Sequence, residues 1–254
     1  MKKKFLLPIL SVCMVVALVS VGFAAWLITG NDTTGATGSF VTHDIDNEYF
    51  TAKAVLKTGS NEKIVFGKPA SPTPSASGWF SFGDTDGQEN LTATFVITVK
   101  AEQAANIDKI LGSNSIKVTL TEENGGSKFD SAKDTTNSKR YVGYPKLNSG
   151  DLATSLATGG AIITLAKADF TIDTENGTAT ADVTVTFTWG DYFTKDDVVV
   201  NPYTYFNGLS FTGEGETLAK AKKAARDEAS KVMKAIHTLN GTKYDITLTV
   251  VEAS

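Results

Sequence analysis

Three closely spaced acids form the best metal-binding pattern in the chain. Asp84, Asp86 and Glu89 supply carboxylate oxygens, the ligands that Ca²⁺ prefers, and Gly87 provides a turn between them. The run lacks the third ligand and the later glutamate of an EF-hand loop, so a solvated turn between strands explains it more simply. A second acidic cluster, residues 44–48, is interpreted in the same way. The sequence therefore predicts no metal and no cofactor, with Asp84, Asp86 and Glu89 kept as weak calcium candidates.

Catalytic motifs are the next chemistry to consider. The two histidines, His43 and His237, do not stand in the HExxH spacing of a zinc protease. His237 ends a helical pattern, where a cation suits the helix macrodipole. No GxSxG elbow points to a serine nucleophile, and the only cysteine, Cys13, lies inside an apolar N-terminal run. We predict that the protein is not an enzyme, and a secreted hydrolase is the least favoured function.

An aromatic segment, residues 190–206, is the remaining candidate for ligand binding. It carries Tyr192, Tyr203, Tyr205 and Phe206, whose rings could stack on sugars. Rings of this kind also bury a large area when they attach a helix to a sheet. Packing is the simpler interpretation, and ligand binding by this loop remains the alternative.

Length, charge and cysteine content limit the class of protein. The chain has 254 residues and a formal net charge of −4, and this length suits one large all-β domain. A mildly acidic chain lacks the basic surface that nucleic acid requires, so we expect no nucleic-acid partner. Without Cys13 the rest of the chain has no thiol, which excludes disulfides and cysteine catalysis.

The N-terminus has the pattern of an export signal. Lysines at residues 2–4 precede an apolar run over residues 5–28, and small residues allow cleavage between Ala24 and Ala25. We therefore predict a signal peptide at residues 1–24. The alternative is an uncleaved anchor extending to about residue 29, since about 20 apolar residues can span a bilayer. Both interpretations place the rest of the chain outside the cytoplasmic membrane, either secreted or at the cell surface.

A central β-strand is the clearest structural element. Residues 178–189 read TATADVTVTFTW, with apolar side chains on one face and threonines with one aspartate on the other. Alternation with a period of two predicts a strand that has one buried face. Similar but weaker patterns predict further strands at residues 39–42, 49–56, 63–66, 91–99, 116–120, 161–165, 169–172 and 243–251. In the last of these, we expect Tyr244, Ile246, Leu248 and Val250 to point inward.

Two helices and one hairpin complete the pattern. Apolar residues recur every three or four positions over residues 216–239, which predicts a long amphipathic helix. A short helix is expected at residues 101–111, ending at Gly112. Asn176-Gly177 is the favoured type I′ pair, with positive φ at both residues, so we expect the strand before it to pair antiparallel with the central one.

The fold predicted from these elements is mainly β. Antiparallel strands with polar outer faces, one long helix and one short helix favour a two-sheet β-sandwich with helices inserted between strands. An N-terminal apolar leader helix precedes it. We predict a flexible spacer at residues 25–38 and a single sandwich domain at residues 39–254. Residues 122–150 form a polar excursion from this domain, which Tyr141 and Tyr144 are expected to hold in place.

The leader also points to a family. The run KKKFLLPILSVCMVVALVSVGFAAW is followed by a Thr- and Gly-rich start and an all-β body with an inserted helix. In this combination the chain resembles the camelysin/TasA family of exported, biofilm-associated surface proteins of Gram-positive bacteria. The resemblance implies a jelly-roll-like sandwich, a leader cut by a dedicated signal peptidase, and a structural or fibre-forming role. Some family members are labelled metalloproteases, an activity for which this chain has no recognisable zinc motif.

Two functions follow as predictions. The first is a surface or extracellular-matrix structural protein, in which residues 25–42, freed by cleavage, add a strand to a neighbouring subunit. The second is a surface module that binds a glycan or host ligand through residues 190–206. We expect partners to be further copies or other surface proteins, with signal peptidase during export. The membrane is contacted only through the N-terminal apolar segment.

Overall fold

The computed structural model describes residues 37–66, 91–123, 127–148, 160–239 and 241–253. The predicted leader, most of the spacer and the cleavage residues Ala24 and Ala25 lie outside the described residues, and so do Asp84, Asp86 and Glu89. Those predictions are not tested by the structure.

The described part of the chain is mainly β. Its strands are β1 Thr37–His43, β2 Ile45–Asp46, β3 Phe50–Leu56, β4 Ile64–Val65, β5 Thr92–Ala101, β6 Asn114–Glu122, β7 Lys146–Leu147, β8 Ala161–Leu165, β9 Thr171–Asp173, β10 Thr178–Thr186, β11 Thr194–Lys195, β12 Val198–Val199 and β13 Thr242–Glu252. Its α-helices are α1 Ile107–Ser113, α2 Ser127–Ser131, α3 Pro202–Asn207 and α4 Gly215–His237.

The strands form two main sheets. One has the order β4-β1-β13-β6-β8, and the other has the order β2-β3-β5-β10-β7, with β9 also paired to β10. Strands β11 and β12 form a small separate hairpin. Every ladder is antiparallel except the one that joins β1 to β13, which is parallel. The antiparallel prediction is thus confirmed with one exception, at the strand nearest the N-terminus.

The central strand has the predicted alternation. Side chains of β10 are alternately buried and at least partly exposed from Thr178 onward, because the pleat points successive side chains to opposite faces. Strand β10 pairs with β5 over nine residues, from Thr178 opposite Lys100 to Thr186 opposite Thr92. It also pairs antiparallel with β9, as predicted.

Aromatic side chains bring the two sheets into contact. The rings of Phe40 on β1 and Phe95 on β5 lie 5.1 Å apart between centroids, and those of Phe187 and Tyr244 lie 5.0 Å apart. The chain passes from one sheet to the other at Asp44, between β1 and β2. Aromatic side chains of the buried core therefore join the two sheets.

The turn between β9 and β10 differs from the prediction. Gly177 has a φ of 63°, but Asn176 is absent from the residues with positive φ. Asp173 pairs with Thr178, which leaves four residues in the loop, and its Oδ1 accepts hydrogen bonds from the backbone N–H groups of Glu175 and Asn176. A four-residue loop closed by an acceptor side chain needs only one residue in the left-handed region, so the type I′ prediction was wrong.

The helices begin and end close to the predicted positions. The short helix starts as a 3-10 turn at Ala104–Asn106 and continues as α1, which includes Gly112 rather than ending there. The long helix α4 covers most of the predicted segment, but only its C-terminal half is buried. Helices α2 and α3 and the β11–β12 hairpin were not predicted. Among the helices that the structure describes, none is both long and apolar enough to cross a membrane.

Candidate functional site

The aromatic segment of residues 190–206 is mostly packed into the protein. Phe193 and Phe206 are fully buried, and Tyr192, Tyr203 and Tyr205 are half-buried against the core. The segment folds as a 3-10 turn at Asp191–Phe193, the β11–β12 hairpin and α3. Asn201 caps α3 by accepting a hydrogen bond from the backbone N–H of Thr204 at 2.7 Å, and Pro202 suits the first helical position.

Phe193 is at the centre of this aromatic cluster. Five other rings lie between 5.2 and 6.3 Å from it, measured between centroids. They belong to Tyr141, Trp189, Tyr192, Tyr205 and Phe206. Most of these pairs are edge-to-face, the arrangement that places the positive edge of one ring on the negative face of another. The rings are thus each other's packing partners, and they do not form a flat exposed platform for a sugar.

A hydrogen bond attaches the aromatic cluster to α4. The hydroxyl of Tyr192 donates to Glu228 Oε1 at 3.0 Å. Burial raises the pKa of Tyr192, and the bond to Glu228 raises it further. The tyrosine therefore remains a neutral donor, and the cluster holds the middle of α4 against the β body.

The polar excursion is held by a cation stacked between two rings. The Arg140 guanidinium carbon lies 4.0 Å from the ring centroid of Tyr144 and 4.9 Å from that of Phe129. The same guanidinium donates to Asp130 Oδ1 at 3.2 Å and to the backbone oxygen of Phe129 at 2.8 Å. Tyr141 is fully buried, and burial raises its pKa to about 12. The expectation that Tyr141 and Tyr144 hold this region in place is confirmed.

The two histidines lie far apart in different surroundings. His43 Nε2 is 3.5 Å from Asp245 Oδ1 on the neighbouring strand β13. His237 ends α4, and its Nδ1 is buried without a hydrogen-bond partner in the described part of the chain. Among the described residues, no three His, Cys, Asp or Glu side chains are grouped as a metal site requires.

A groove lies at the other end of the sheets, among the described residues. Its volume is about 880 Å³, and it lies between the β2–β3 turn, α1 and the last residues of β13. Its apolar side chains are Ile45, Phe50, Ile110, Leu248 and Val250. Three carboxyl groups, those of Asp44, Glu48 and Glu102, line it together with one cation, Lys109. The groove therefore combines an apolar floor with an acidic rim, which is here called the acidic groove.

Two exposed side chains mark the mouth of the acidic groove. Tyr49 is 66% exposed and Val250 is 38% exposed, although the alternation of β13 had predicted an inward Val250. That prediction was wrong because Val250 lies at the groove, where its side chain remains accessible to solvent. A hydrogen bond to Glu48 raises the pKa of the Tyr49 hydroxyl. Tyr49 and Val250 thus add exposed aromatic and apolar surface beside the carboxylates of the groove.

Asp44 lies at the base of the acidic groove, where the chain crosses between sheets. It is almost fully buried, and its Oδ1 accepts the backbone N–H of Ala54 at 3.2 Å. Burial raises the pKa of Asp44, while the Ala54 hydrogen bond and the nearby Lys53 and His43 lower it to a smaller extent. The sequence showed the acids of residues 44–48 but not the groove, because the groove also needs α1 and the end of β13, which are distant in sequence.

A group of buried oxygens lies at the opposite end, where α4 leads into β13. Glu122 and Tyr244 are direct cross-strand partners, and Thr242 precedes Tyr244 on the same face. Each has a buried oxygen without a hydrogen-bond partner among the described residues. The other carboxylate oxygen of Glu122 accepts the backbone N–H of Phe129 at 3.0 Å, and burial raises the pKa of Glu122. These groups lie in the core and are closed to a soluble ligand.

The N-terminal strand β1 occupies a place in the protein's own sheet. It pairs in parallel with β13 from Gly38 opposite Thr242 to His43 opposite Thr247. Phe40 is fully buried between Phe95 and Tyr244. On its other side, β1 pairs with β4 over only two residues, at Thr37 and Gly38.

Comparison of the chain with models of protein families, with curated protein sequences and with solved structures gives no match in any of the three.

Proposed function

We propose that the protein is an exported cell-surface or extracellular-matrix structural protein and that it forms fibres by exchange of its N-terminal strand. In this proposal the two sheets are the layers of a jelly-roll-like sandwich. The leader is removed by signal peptidase, and the protein acts outside the cytoplasmic membrane. Its main partner is a second copy of itself, with other surface proteins as further partners.

The placement of β1 is the observation that carries this proposal. The strand follows the predicted spacer directly and joins the sheet by a ladder to the C-terminal strand β13. It buries one large side chain, Phe40, in the core. A strand near a chain terminus can leave its own sheet and fill the same place in another copy, because the contacts it makes are identical in both arrangements.

The outer faces of the sheets support a role in solvent. The central pair β5 and β10 has threonines opposite each other on the face away from the core, and Thr94 Oγ1 and Thr184 Oγ1 are 3.0 Å apart. Such cross-strand hydroxyl pairs stabilise a sheet whose outer face remains in water. This arrangement suits a subunit whose sheets stay solvated in a matrix.

A disulfide that locks β1 in its own sheet tests the proposal. Ser39 and Lys243 are direct partners in the β1–β13 ladder, and neighbouring strands lie about 4.8 Å apart, within the Cα range of a disulfide. Cys13 is the only cysteine and lies in the predicted leader, so Ser39→Cys with Lys243→Cys adds the only thiols to the cleaved chain. Oxidised monomer exported from the producing cells should not form fibres by strand exchange, and reduction should restore them.

Order of oxidation provides the matched control. If fibres form first under reducing conditions and are then oxidised, the disulfide should join different copies and give a ladder of covalent oligomers on a denaturing gel. Each single-cysteine variant should give fibres and no ladder beyond a dimer. Strand exchange is rejected if oxidised monomer forms fibres as readily as reduced monomer.

A further inference from the structure

The N-terminal half of α4 is an amphipathic helix without a buried residue. In the described helix, the buried side chains are Ala229, Val232, Met233 and Ile236, all in the second half. The apolar stripe nevertheless continues toward the N-terminus through Leu218, Ala221 and Ala225, which are only half-buried. A stripe that continues past the contact with its own core points to a further contact for the first half.

That half of the stripe is also positively charged. Lys222 and Arg226 lie one turn apart beside the apolar stripe, and neither forms an ion pair with any residue that the structure describes. The cations on the opposite face behave differently. Lys220 pairs with Glu216 at 2.7 Å and Lys223 pairs with Asp227 at 2.6 Å, and all four side chains are well exposed. The face with Leu218, Ala221, Lys222, Ala225 and Arg226 is here called the basic helix face.

The acidic groove has the complementary chemistry. Its floor is apolar, and the exposed carboxylates of Glu48 and Glu102 lie at its rim with Asp44 at its base. An amphipathic helix binds a groove through anchors at positions i, i+3, i+4 and i+7. Starting from Leu218, these positions hold Ala221, Lys222 and Ala225. The basic helix face thus presents apolar anchors together with a cation, as an apolar groove with acidic edges requires.

The C-terminal half of α4 and the acidic groove lie at opposite ends of the β body. Strand β13 begins at Thr242, just after α4, and reaches the groove at Leu248–Val250. Thr242 and Val250 are separated by roughly 26 Å of extended strand. In the other sheet, β5 ends beside Glu102 in the groove, whereas the segment after β10 leads to Tyr192 and its bond to Glu228 on α4. Among the described residues, none from α4 lines the groove of its own copy. The two complementary surfaces can therefore join one copy to the next.

We propose that the basic helix face of one copy docks in the acidic groove of a second copy, giving a head-to-tail contact. The contact is heterologous, so repeating it produces an open chain of subunits rather than a closed dimer. This inference rests on the proposed assembly role and adds to it a second contact that is independent of strand exchange. Because the contact pairs exposed carboxylates with cations, it should weaken as salt rises.

Charge exchange between the two surfaces tests the contact. A groove variant carries Glu48→Lys and Glu102→Lys, and a helix variant carries Lys222→Glu and Arg226→Glu. Each is made with the oxidised Ser39→Cys/Lys243→Cys pair, so that strand exchange is blocked, and is studied by sedimentation velocity. Each variant alone should associate at least about tenfold more weakly than the locked parent, since like charges face each other. An equal mixture should recover association, because every contact between unlike variants is again complementary.

Two matched controls make the same change in net charge as the helix variant and the groove variant. Lys220→Glu with Lys223→Glu makes the same charge change on the opposite face of α4, and Glu62→Lys with Glu175→Lys makes it on exposed acids outside the groove. Both should associate like the locked parent. The proposal is overturned if the locked parent stays monomeric up to its solubility limit, if the controls weaken association equally, or if the mixture fails to recover. It is also overturned if the helix variant loses thermal stability while association is unchanged, because the helix face then packs within its own copy.

The two proposals fail in different ways. If oxidation of the cysteine pair leaves fibre formation unchanged, strand exchange is wrong, whatever the charge variants show. If the locked parent does not associate but the reduced protein forms fibres, strand exchange stands and the head-to-tail contact is wrong. The cysteine lock and the charge exchange therefore report on separate contacts.

Discussion

The two ends of the β body use large side chains in opposite ways. At the end where α4 is attached, five aromatic rings surround the ring of Phe193. The excursion of residues 127–148 adds Arg140, which is stacked between two more rings. At the groove end, Tyr49 is 66% exposed and Val250 is 38% exposed. Aromatic content is therefore a poor guide to binding in this protein. Three of the six rings of the cluster, those of Tyr141, Phe193 and Phe206, are fully buried and the other three are half-buried.

The ends differ because one of them is closed by elements that cross it. The 3-10 turn at Asp191–Phe193, α3 and the second half of α4 cover the first end and exclude water from its rings. Among the described residues, the groove end is bordered by α1, the 3-10 turn before it, the short β2–β3 turn and the end of β13. Stability should therefore depend on the packed end and association on the groove end.

The strongest test of this difference is removal of the central ring. Phe193→Ala should lower the free energy of unfolding by about 3–5 kcal/mol, because it deletes a fully buried ring and leaves a cavity among its neighbours. Urea unfolding followed by tryptophan fluorescence would measure the loss. Phe193→Leu is the matched control and should recover most of it. A loss below about 1 kcal/mol would show that the cluster rearranges freely and that the packed end contributes little to the free energy of unfolding.

A smaller effect, on the pH dependence of stability, is expected at one buried acid of each end. Glu122 is buried near α4, and burial raises its pKa above the ordinary value of 4.5. A raised pKa means that the folded protein favours the protonated carboxyl group. The stability that Glu122 contributes is therefore complete below about pH 4.5 and is lost as pH rises through the folded-state pKa. Glu122→Gln should remove this pH dependence. At pH values above the folded-state pKa of Glu122, it should raise the free energy of unfolding by roughly 1 kcal/mol, the scale of one polar contact.

Urea unfolding of both proteins at a series of pH values would show the difference. The gap between Glu122→Gln and the parent should widen as pH rises from about 4.5. Asp44→Asn is the comparison from the groove end, where burial also raises the pKa and the same sign is expected. Parallel curves for the parent and Glu122→Gln would mean that the folded protein does not disfavour the ionised carboxylate.

The smallest effect on stability is expected at the mouth of the groove. Tyr49→Ala should leave the urea midpoint unchanged, since the side chain is mostly in water. In the locked background it should nevertheless weaken head-to-tail association, because an exposed ring at a groove gives a partner apolar area to cover. Sedimentation velocity measures the association, and Val55→Ala, at another exposed site outside the groove, is its control. A clear fall in the midpoint would show that Tyr49 contributes to the fold instead.

Strand patterns along the chain were a good guide to the fold, and turns were a weaker one. The alternation of β5, β10 and β13 predicted their buried faces because each strand packs one face against the core along most of its length. The pattern failed at Val250, where the strand reaches the groove. The predicted turn type was wrong at Asn176, because loop length depends on which residues pair across the turn and not on the turn residues alone.

The sites were harder to predict than the strands. The sequence showed the acids of residues 44–48, but their pattern indicated only a solvated turn or a weak metal site. Their partners in the groove come from Glu102, α1 and the end of β13, which no local pattern connects. The composition of the aromatic segment allowed a ligand-binding surface to be predicted, although most of its rings contact one another.

The sequence by itself determined the class of the fold, the central strand and the amphipathic stripe of α4, because these depend on local periodicity. It could not determine that β1 pairs in parallel with β13, since any strand with one apolar face can take either direction. Only the tertiary structure assembled the acidic groove and kept it separate from the basic helix face. Both surfaces depend on which strands become neighbours, and that choice is made by contacts between residues far apart in the chain.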